Sequence, residues 1–455
     1  MTEQADSGPQ GNRYVLKGSG KDLLSGEADE IVRLQALLAQ WLRMENVVVL
    51  AGAGCSCAPH IGGKVLAGLE SAVLDLLEVI YGKENEEGQK NNENLEALIK
   101  DRKADEKRSG FEQWLSYLSN LHYLLSQDDS PVSDVTWKGR TSLSQKNLSD
   151  LLQDLEKAIY AYCALTLPSP SETHSGHHEF ISKLLARDPS LGRTHLFTNN
   201  YDTVFEQALD HLHAQYQDGF AGKTRPQFDP SVYGLDIYYP GEVSEGRVRR
   251  YDKFLHLYKI HGSINWRVPQ AGTHIEQQMV PVERFNDWQT KDSQDQADTF
   301  QELFENSHIP IGILPTAKKF ADTLELPYAH LFRAFHQRLQ EPQTFLIIIG
   351  YGFGDDHINQ IIDDAMLNPG LVLLVVDPAP GDNIKNKMEQ YQSIGERAYL
   401  LSARESETPP RAATFDDFSR TVMPHVKSLD EWVKLRRLEN TIKNSTPPEN
   451  EGTVD

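Results

Sequence analysis

Three uninterrupted apolar runs constrain this chain more than any other feature: VVVLA at 47–51, FLIII at 345–349 and LVLLVV at 371–376. Each has strand length, and none alternates with polar residues. A strand that is apolar on both sides must be covered on both faces, the condition of a parallel sheet flanked by helices. Shorter runs continue the series at His195–Thr198, His256–Ile260, Ile311–Leu314 and Ala398–Leu401. Apolar residues at helical spacing fill several gaps, as in Ile31, Leu34, Leu38, Trp41 and Leu42, in Val204, Phe205, Ala208, Leu209 and Leu212, and in Ile358, Ile361, Ile362 and Ala365. Strand, helix, strand in this order predicts an α/β fold: a Rossmann-like, doubly wound, mostly parallel sheet.

The gap from the first strand to the second is about 145 residues, too long for one crossover. It holds polar stretches at 82–94 and 127–145 and a clear helix at 147–167, so a large helical insertion is expected at about 65–190. Residues 213–254, rich in Tyr, Gly and Pro, read as loops, and 268–308 as a polar excursion with an acidic patch at 288–299. The expected organisation is a disordered N-terminus at 1–28 and one catalytic domain at 29–404. A C-terminal helical extension at 405–442, entered through the linker SETPPRAAT, and a disordered tail at 443–455 complete it.

The net charge of −21, from 45 basic and 66 acidic residues, argues against a broad hold on nucleic acid. The mixed-charge stretches at 100–108 and 434–443 read as solvated helix faces. Three cysteines, Cys55, Cys57 and Cys163, make neither a disulfide framework nor a four-thiolate zinc site. No signal peptide and no membrane-spanning run is visible, so a cytoplasmic setting without membrane contact is expected.

Chemistry-bearing residues gather where strands end, which is where such sheets bind ligands. The first strand runs into Ala51, Gly52, Ala53, Gly54, Cys55 and Ser56. Small residues there let backbone approach a pyrophosphate. This is neither a dehydrogenase fingerprint, since Cys57 stands at the third glycine position, nor a Walker loop, since no Gly-Lys-Ser/Thr follows. The second strand ends in Thr198, Asn199, Asn200, Tyr201 and Asp202; capping of the next helix explains one of these polar residues but not the cluster. The third ends in KIHGS, placing His261 before a glycine. A fourth ends in Gly350, Tyr351, Gly352, Phe353, Gly354 and Asp355, with Asn359 a turn later. Three alternate glycines are costly unless backbone must lie against a ligand. Asp377, at the end of the next strand, is placed to meet an adenine or ribose edge.

Taken in order, GAGCS at 52–56, TNNYD at 198–202, KIHGS at 259–263 and GYGFGDDHIN at 350–359 resemble the sirtuin superfamily. More narrowly, they resemble the sirtuin-like NAD hydrolases of bacterial anti-phage defence. The resemblance implies that residues 51–56 cradle the NAD+ pyrophosphate and that Thr198, Asn200 and Asp202 form the family's polar motif. It further implies that Asn200 holds the nicotinamide ribose or the attacking water, that Asp202 meets the carboxamide or orders the pocket, and that His261 is the family histidine. Residues 350–355 and Asn359 then line the adenosine half.

The chain departs from deacetylating sirtuins in three ways: it lacks cysteines for their zinc module, carries Pro59-His60-Ile61-Gly62-Gly63-Lys64 after the glycine loop, and has Tyr201 in place of their usual Ile. Loss of the zinc module weakens a deacylase reading, and no zinc is expected. The implied reaction uses NAD+ as substrate and yields nicotinamide and ADP-ribose, with Asn200 orienting a water and His261 accepting a proton. The alternatives are a deacylase or ADP-ribosyltransferase using the same pocket, and a catalytically silent subunit that senses NAD+ or ADP-ribose. The resemblance also implies a toxic, NAD-depleting effector in abortive infection, a homo-oligomer, and control by a hexameric DNA-translocating ATPase partner encoded nearby.

Overall fold

Val47 to Ala51 form the middle of the molecule because nothing in that run tolerates water. In the computed structural model, which describes residues 13–27, 29–83, 92–105, 109–127, 132–137, 141–188, 190–239, 250–267, 275–304, 327–404 and 410–425, all five are fully buried. They belong to strand β3 (Asn46–Ala51), which pairs in parallel with β4 (Thr194–Thr198) on one side and β7 (Thr344–Ile349) on the other. The remaining strands of the sheet are β1 (Tyr14–Gly18), β2 (Lys21–Asp22), β5 (Gln215–Gln217), β6 (Phe254–Lys259), β8 (Leu371–Val376) and β9 (Ala398–Ala403). The nine-stranded order is β2-β1-β9-β8-β7-β3-β4-β6-β5. All neighbours are parallel except β1, which runs antiparallel to β9 and β2.

The strand period of two divides β3 between two cores. Val47, Val49 and Ala51 face one core with Phe180, Phe205 and Phe418, and Val48 and Leu50 face the other with Phe335, Ile358 and Ile362. Helices α1 (Glu30–Trp41), α6 (Gly176–Leu185) and α7 (Val204–His211) supply the first face. Helices α10 (Tyr328–Gln340) and α11 (Asp356–Ala365) supply the second. From β3 the chain builds outward through β4 and β6, then returns to start again on the other flank with β7, β8 and β9. The order therefore reverses between β3 and β7, and the carboxyl ends of these two strands open the crevice such sheets use for ligands.

A third core belongs to a helical layer. Helices α2 (Leu66–Gly82), α3 (Glu93–Ala104), α4 (Phe111–Ser126) and α5 (Gln145–Cys163) pack around Trp114, Leu115, Leu118, Leu148, Leu151 and Leu155. Ser144 and Asn147 form a capping box that starts α5. Inside this layer Arg102 pairs with Glu70 at 2.7 Å while lying over the Trp114 ring.

Four sequence expectations change. Residues 13–27, expected to be disordered, are ordered: β1 pairs along its length with β9, and Tyr14 and Leu16 are buried. The alternation of Tyr14, Leu16 and Gly18 with exposed or half-buried residues is a strand pattern too short to stand out in a polar context. The stretch 213–254 is not all loop, because Gln215–Gln217 joins the sheet beside β6. The polar excursion folds into α8 (Val282–Gln289) and α9 (Ser293–Thr299), whose Phe285 and Trp288 are buried in the helical layer. The linker expected before the C-terminal helices is packed in its described part: Ala412 and Ala413 are buried, and short helical turns at Phe415–Asp417 and Phe418–Val422 cover α6 and α1. The strand expected at Ile311–Leu314 and most of the expected C-terminal helix lie outside the described residues.

Candidate active site

The two glycine loops touch before any ligand is considered. Gly52 N–H donates to Ile349 O and Gly54 N–H to Gly350 O, both at 2.9 Å. A Cβ on Gly52 would stand 2.4 Å from Gly350 O, and one on Gly54 would stand 2.7 Å from Gly350 Cα. Gly350 itself has φ +66° and would bring a Cβ within 2.7 Å of Cys55 N. Contact between two backbones therefore demands glycine here. Gly352 and Gly354 face open space, and the left-handed residue between them is Phe353, at φ +55°.

The neighbouring loops continue the ladder past the strand ends. Asn199 N–H donates to Ala51 O, Ile260 N–H to Thr198 O and Ile264 N–H to Tyr201 O. The four sequence motifs are thereby stitched side by side along the carboxyl edge of the sheet. They enclose a cavity of about 410 Å³, within the range of small-molecule sites.

Of the residues expected at the site, Ala53, Ser56, Asn200, Asp202, His261, Gly350, Tyr351, Gly352, Gly354 and Asp355 line this cavity. Ala51, Gly52, Gly54, Cys55, Thr198, Phe353, Asn359 and Asp377 do not. Ala51 and Thr198 end their strands, with Thr198 Oγ1 accepting Asn200 N–H at 3.1 Å. Cys55 is fully buried, and burial pushes its thiol well above the usual range. Asn359 braces the fourth loop from below, donating to Phe353 O at 3.1 Å and accepting from the Tyr351 hydroxyl at 3.0 Å. Asp377 directly follows β8 and accepts Ala379 N–H at 2.9 Å.

A chain of polar contacts sets the orientation of Asn200. Asp202 accepts from Val204 N–H, the first residue of α7, with one oxygen and from the Ser56 hydroxyl with the other at 2.8 Å. A carboxylate can only accept, so the Ser56 proton is spent on Asp202. Ser56 Oγ then accepts from Asn200 Nδ2 at 3.1 Å. The amide is thereby fixed with its nitrogen on Ser56, and its carbonyl oxygen, buried and without a protein partner among the described residues, is left for a ligand. Beneath this chain the buried Lys259 bonds the Asp202 carbonyl and pairs with Glu206 at 3.3 Å.

His261 Nε2 lies 2.9 Å from Asp355 Oδ2, joining the third and fourth loops across the sheet edge. The Tyr201 and Phe332 rings flank the imidazole at centroid distances of 6.5 and 6.4 Å. Burial holds the Tyr201 hydroxyl well above the usual range, so it stays neutral.

Sequence reasoning did not place Leu66, Leu69, Glu112, Tyr162 and Cys163 at the site, yet the helical layer brings all five to the cavity wall. No local signal marks them, because they become neighbours of the sheet only when the insertion folds back. Lys64 also lines the cavity and lies over the Tyr162 ring at 5.7 Å. Burial pushes the Cys163 thiol up to about 12, so it is protonated at neutral pH. Among the described residues no cluster of His, Cys, Asp and Glu is placed to hold a metal ion, and no helix is long and apolar enough to cross a membrane.

Comparison with curated proteins finds no match. The family model for the SIR2-like domain matches residues 194–399, from the first residue of β4 into β9. The match spans three of the four motifs; the remaining one, the first glycine loop, joins them through the β3–β4 and β3–β7 pairings. SIR2-like domains use NAD+. On this combination of sheet, loops and family match, the chain carries a sirtuin-like domain of the SIR2 type.

Proposed function

We propose that this protein hydrolyses NAD+ to nicotinamide and ADP-ribose. The observation that carries the reading is the Asn200 carbonyl, fixed by Ser56 and Asp202, buried, and lining one cavity with His261. In this reaction the bond between ribose C1′ and the nicotinamide nitrogen breaks, and its electron pair neutralises the pyridinium ring. Positive charge builds on the ribose, and a water oxygen bonds to C1′ and gives up a proton. The leaving group departs without being protonated, so the chain need only seat the ribose, orient one water and accept one proton. Asn200 is suited to orient the water through its carbonyl, and His261 to accept the proton. The aromatic and aliphatic walls from the helical layer limit bulk water, which strengthens the electrostatics within.

The wider role within this reading is depletion of NAD+ as an anti-phage effector, working as a homo-oligomer under the control of an ATPase partner. It is supported by the four-motif resemblance and by the need to restrain a hydrolase that consumes a common metabolite.

Product analysis tests the proposal. Purified protein is incubated with NAD+ alone, with an acyl-lysine peptide, and with a protein acceptor, beside His261→Ala and Asn200→Ala. Equal nicotinamide and ADP-ribose from the wild type in the absence of acceptor supports hydrolysis. Release that depends on the peptide or labels the acceptor replaces it with deacylation or ADP-ribosyl transfer. Undiminished release by either variant removes that residue from the mechanism.

A further inference from the structure

We propose that the Tyr201 hydroxyl is the hydrogen-bond donor for the carboxamide carbonyl of the nicotinamide ring, which makes Tyr201 a specificity-determining residue of the site. The assignment rests on NAD+ as the ligand. Among the described residues, four side chains bring a hydroxyl to the cavity wall: Ser56, Tyr162, Tyr201 and Tyr351. Three of them have their protons committed. Ser56 donates to Asp202 at 2.8 Å, Tyr162 to the Gln296 side-chain carbonyl at 3.1 Å, and Tyr351 to the Asn359 side-chain carbonyl at 3.0 Å. The Tyr201 hydroxyl is buried and has no hydrogen-bond partner among the described residues. Folding has removed its water and supplied no replacement, and a buried polar group in that state is satisfied by a ligand or costs stability. Burial first, and the Glu112 carboxylate after it, keep the group protonated, so it has a proton to offer.

The surroundings of Tyr201 select the acceptor. It follows Asn200, whose carbonyl faces the ribose in the proposed reaction, and the group bonded to that ribose carbon is nicotinamide. Its ring packs against the helical layer, where Leu69, Tyr162 and Cys163 form a wall suited to a flat pyridinium ring. That wall leaves the carbonyl on the ring without a donor, and the Tyr201 hydroxyl stands where the polar loop meets the layer. Asp202, to which the resemblance assigns the carboxamide, has one oxygen on Val204 N–H and the other on Ser56, and a carboxylate has no proton for a carbonyl. The Tyr201 backbone is itself held in place, its carbonyl accepting Ile264 N–H at 2.9 Å and the Ser263 hydroxyl at 3.3 Å. Deacetylating sirtuins carry Ile at this position, so the hydroxyl is a departure of this chain from them.

The test is isothermal titration calorimetry on the full chain and on Tyr201→Phe. The ligands are a carbocyclic NAD+ analogue, which cannot be hydrolysed, and ADP-ribose, which lacks the nicotinamide. The variant is expected to bind the analogue roughly 3- to 10-fold more weakly and ADP-ribose equally well. The same analogue without its carboxamide is expected to bind wild type and variant alike. Thermal unfolding of the ligand-free proteins is expected to find Tyr201→Phe at least as stable as the wild type, because only an unpaired hydroxyl is removed. Equal weakening of both ligands moves the hydrogen bond to a part they share, and no weakening removes it; either overturns the proposal. A wild-type preference that survives removal of the carboxamide overturns it too, as does a clear fall in the ligand-free melting temperature, which would reveal a protein partner for the hydroxyl. Binding of neither ligand by the wild type refutes NAD+ as the ligand and this assignment with it. Selective weakening of the analogue in a protein that does not turn over NAD+ refutes the hydrolysis and leaves the recognition standing.

Discussion

The sheet edge and the helical layer wall the same cavity by different physics. At the edge, two backbones meet glycine to glycine, and strand ladders running past their last residues tie the loops together. In the layer, amphipathic helices meet through Leu and Trp side chains around the Arg102–Glu70 pair, and only a few side chains reach the cavity. The residues with groups suited to the chemistry, Asn200, Asp202 and His261, are on the edge. The layer contributes Tyr162, Cys163, Leu66 and Leu69, which exclude water more than they react, and one carboxylate, Glu112. Backbone contact stands where atoms must be oriented, and an apolar side-chain cover where they need only be kept dry.

The largest expected effect falls on the edge. His261→Ala and Asn200→Ala are each expected to lower nicotinamide release by roughly 10²- to 10⁴-fold with little change in the melting temperature. A large loss of stability instead would mean that the edge is built for packing, and the contrast with the layer would disappear. Next comes the layer: Trp114→Ala removes a fully buried indole and is expected to cost about 3–5 kcal/mol. Hydrogen exchange followed by mass spectrometry should show that cost in α2–α5 while β3, β4 and β7 stay protected. Uniform loss of protection would make the two regions one cooperative unit.

Gly350→Ala probes the backbone contact itself. A left-handed φ and a Cβ 2.7 Å from Cys55 N are expected to cost roughly 2–4 kcal/mol and to disturb the fourth loop along with the first. Thermal unfolding measures this, and a neutral result would mean that the loops can part without penalty.

The smallest effect concerns buried histidines, which belong to the sheet half. His177 packs against Phe205 and Phe415 with neither ring nitrogen partnered among the described residues, and burial pushes its pKa down to about 3. His256 in β6 is lowered to about 4, also by burial. Their folded values lie below the unfolded one near 6.5, so the unfolded chain takes up protons first. Stability is expected to fall as pH drops below about 6.5, continuing toward their folded values. His177→Phe is expected to raise stability by about 1–2 kcal/mol and to flatten that slope, measured by denaturant titration at pH 7 and pH 5. An unchanged slope would place the acid sensitivity elsewhere.

The parallel strands other than β5 were legible because they are mainly apolar runs of strand length, four of them ending in glycine or a polar cluster. β1 was not, since it is a short run, Tyr14–Gly18, set in a polar and charged segment, and its partner lies nearly 400 residues away, at Tyr399–Ala403. The acidic stretch at 288–299 hid α9 for a related reason: its helix keeps few apolar residues, Ala297 among them, and those find their core only against the insertion. At the site, the strand-end rule located Asn200, Asp202 and His261 from sequence. It also gathered residues that do not line the cavity, among them Asp377 after β8 and Asn359 within α11.

What the sequence determined by itself was the parallel core strands of the sheet and the polar loops at their carboxyl ends, because burial on both faces follows from local pattern. Only the tertiary structure decided which loop residues face the cavity, which way the Asn200 amide points, that His261 meets Asp355, and that a remote helical layer closes the site. Those outcomes depend on distances between residues far apart in the chain, and no local periodicity encodes such distances.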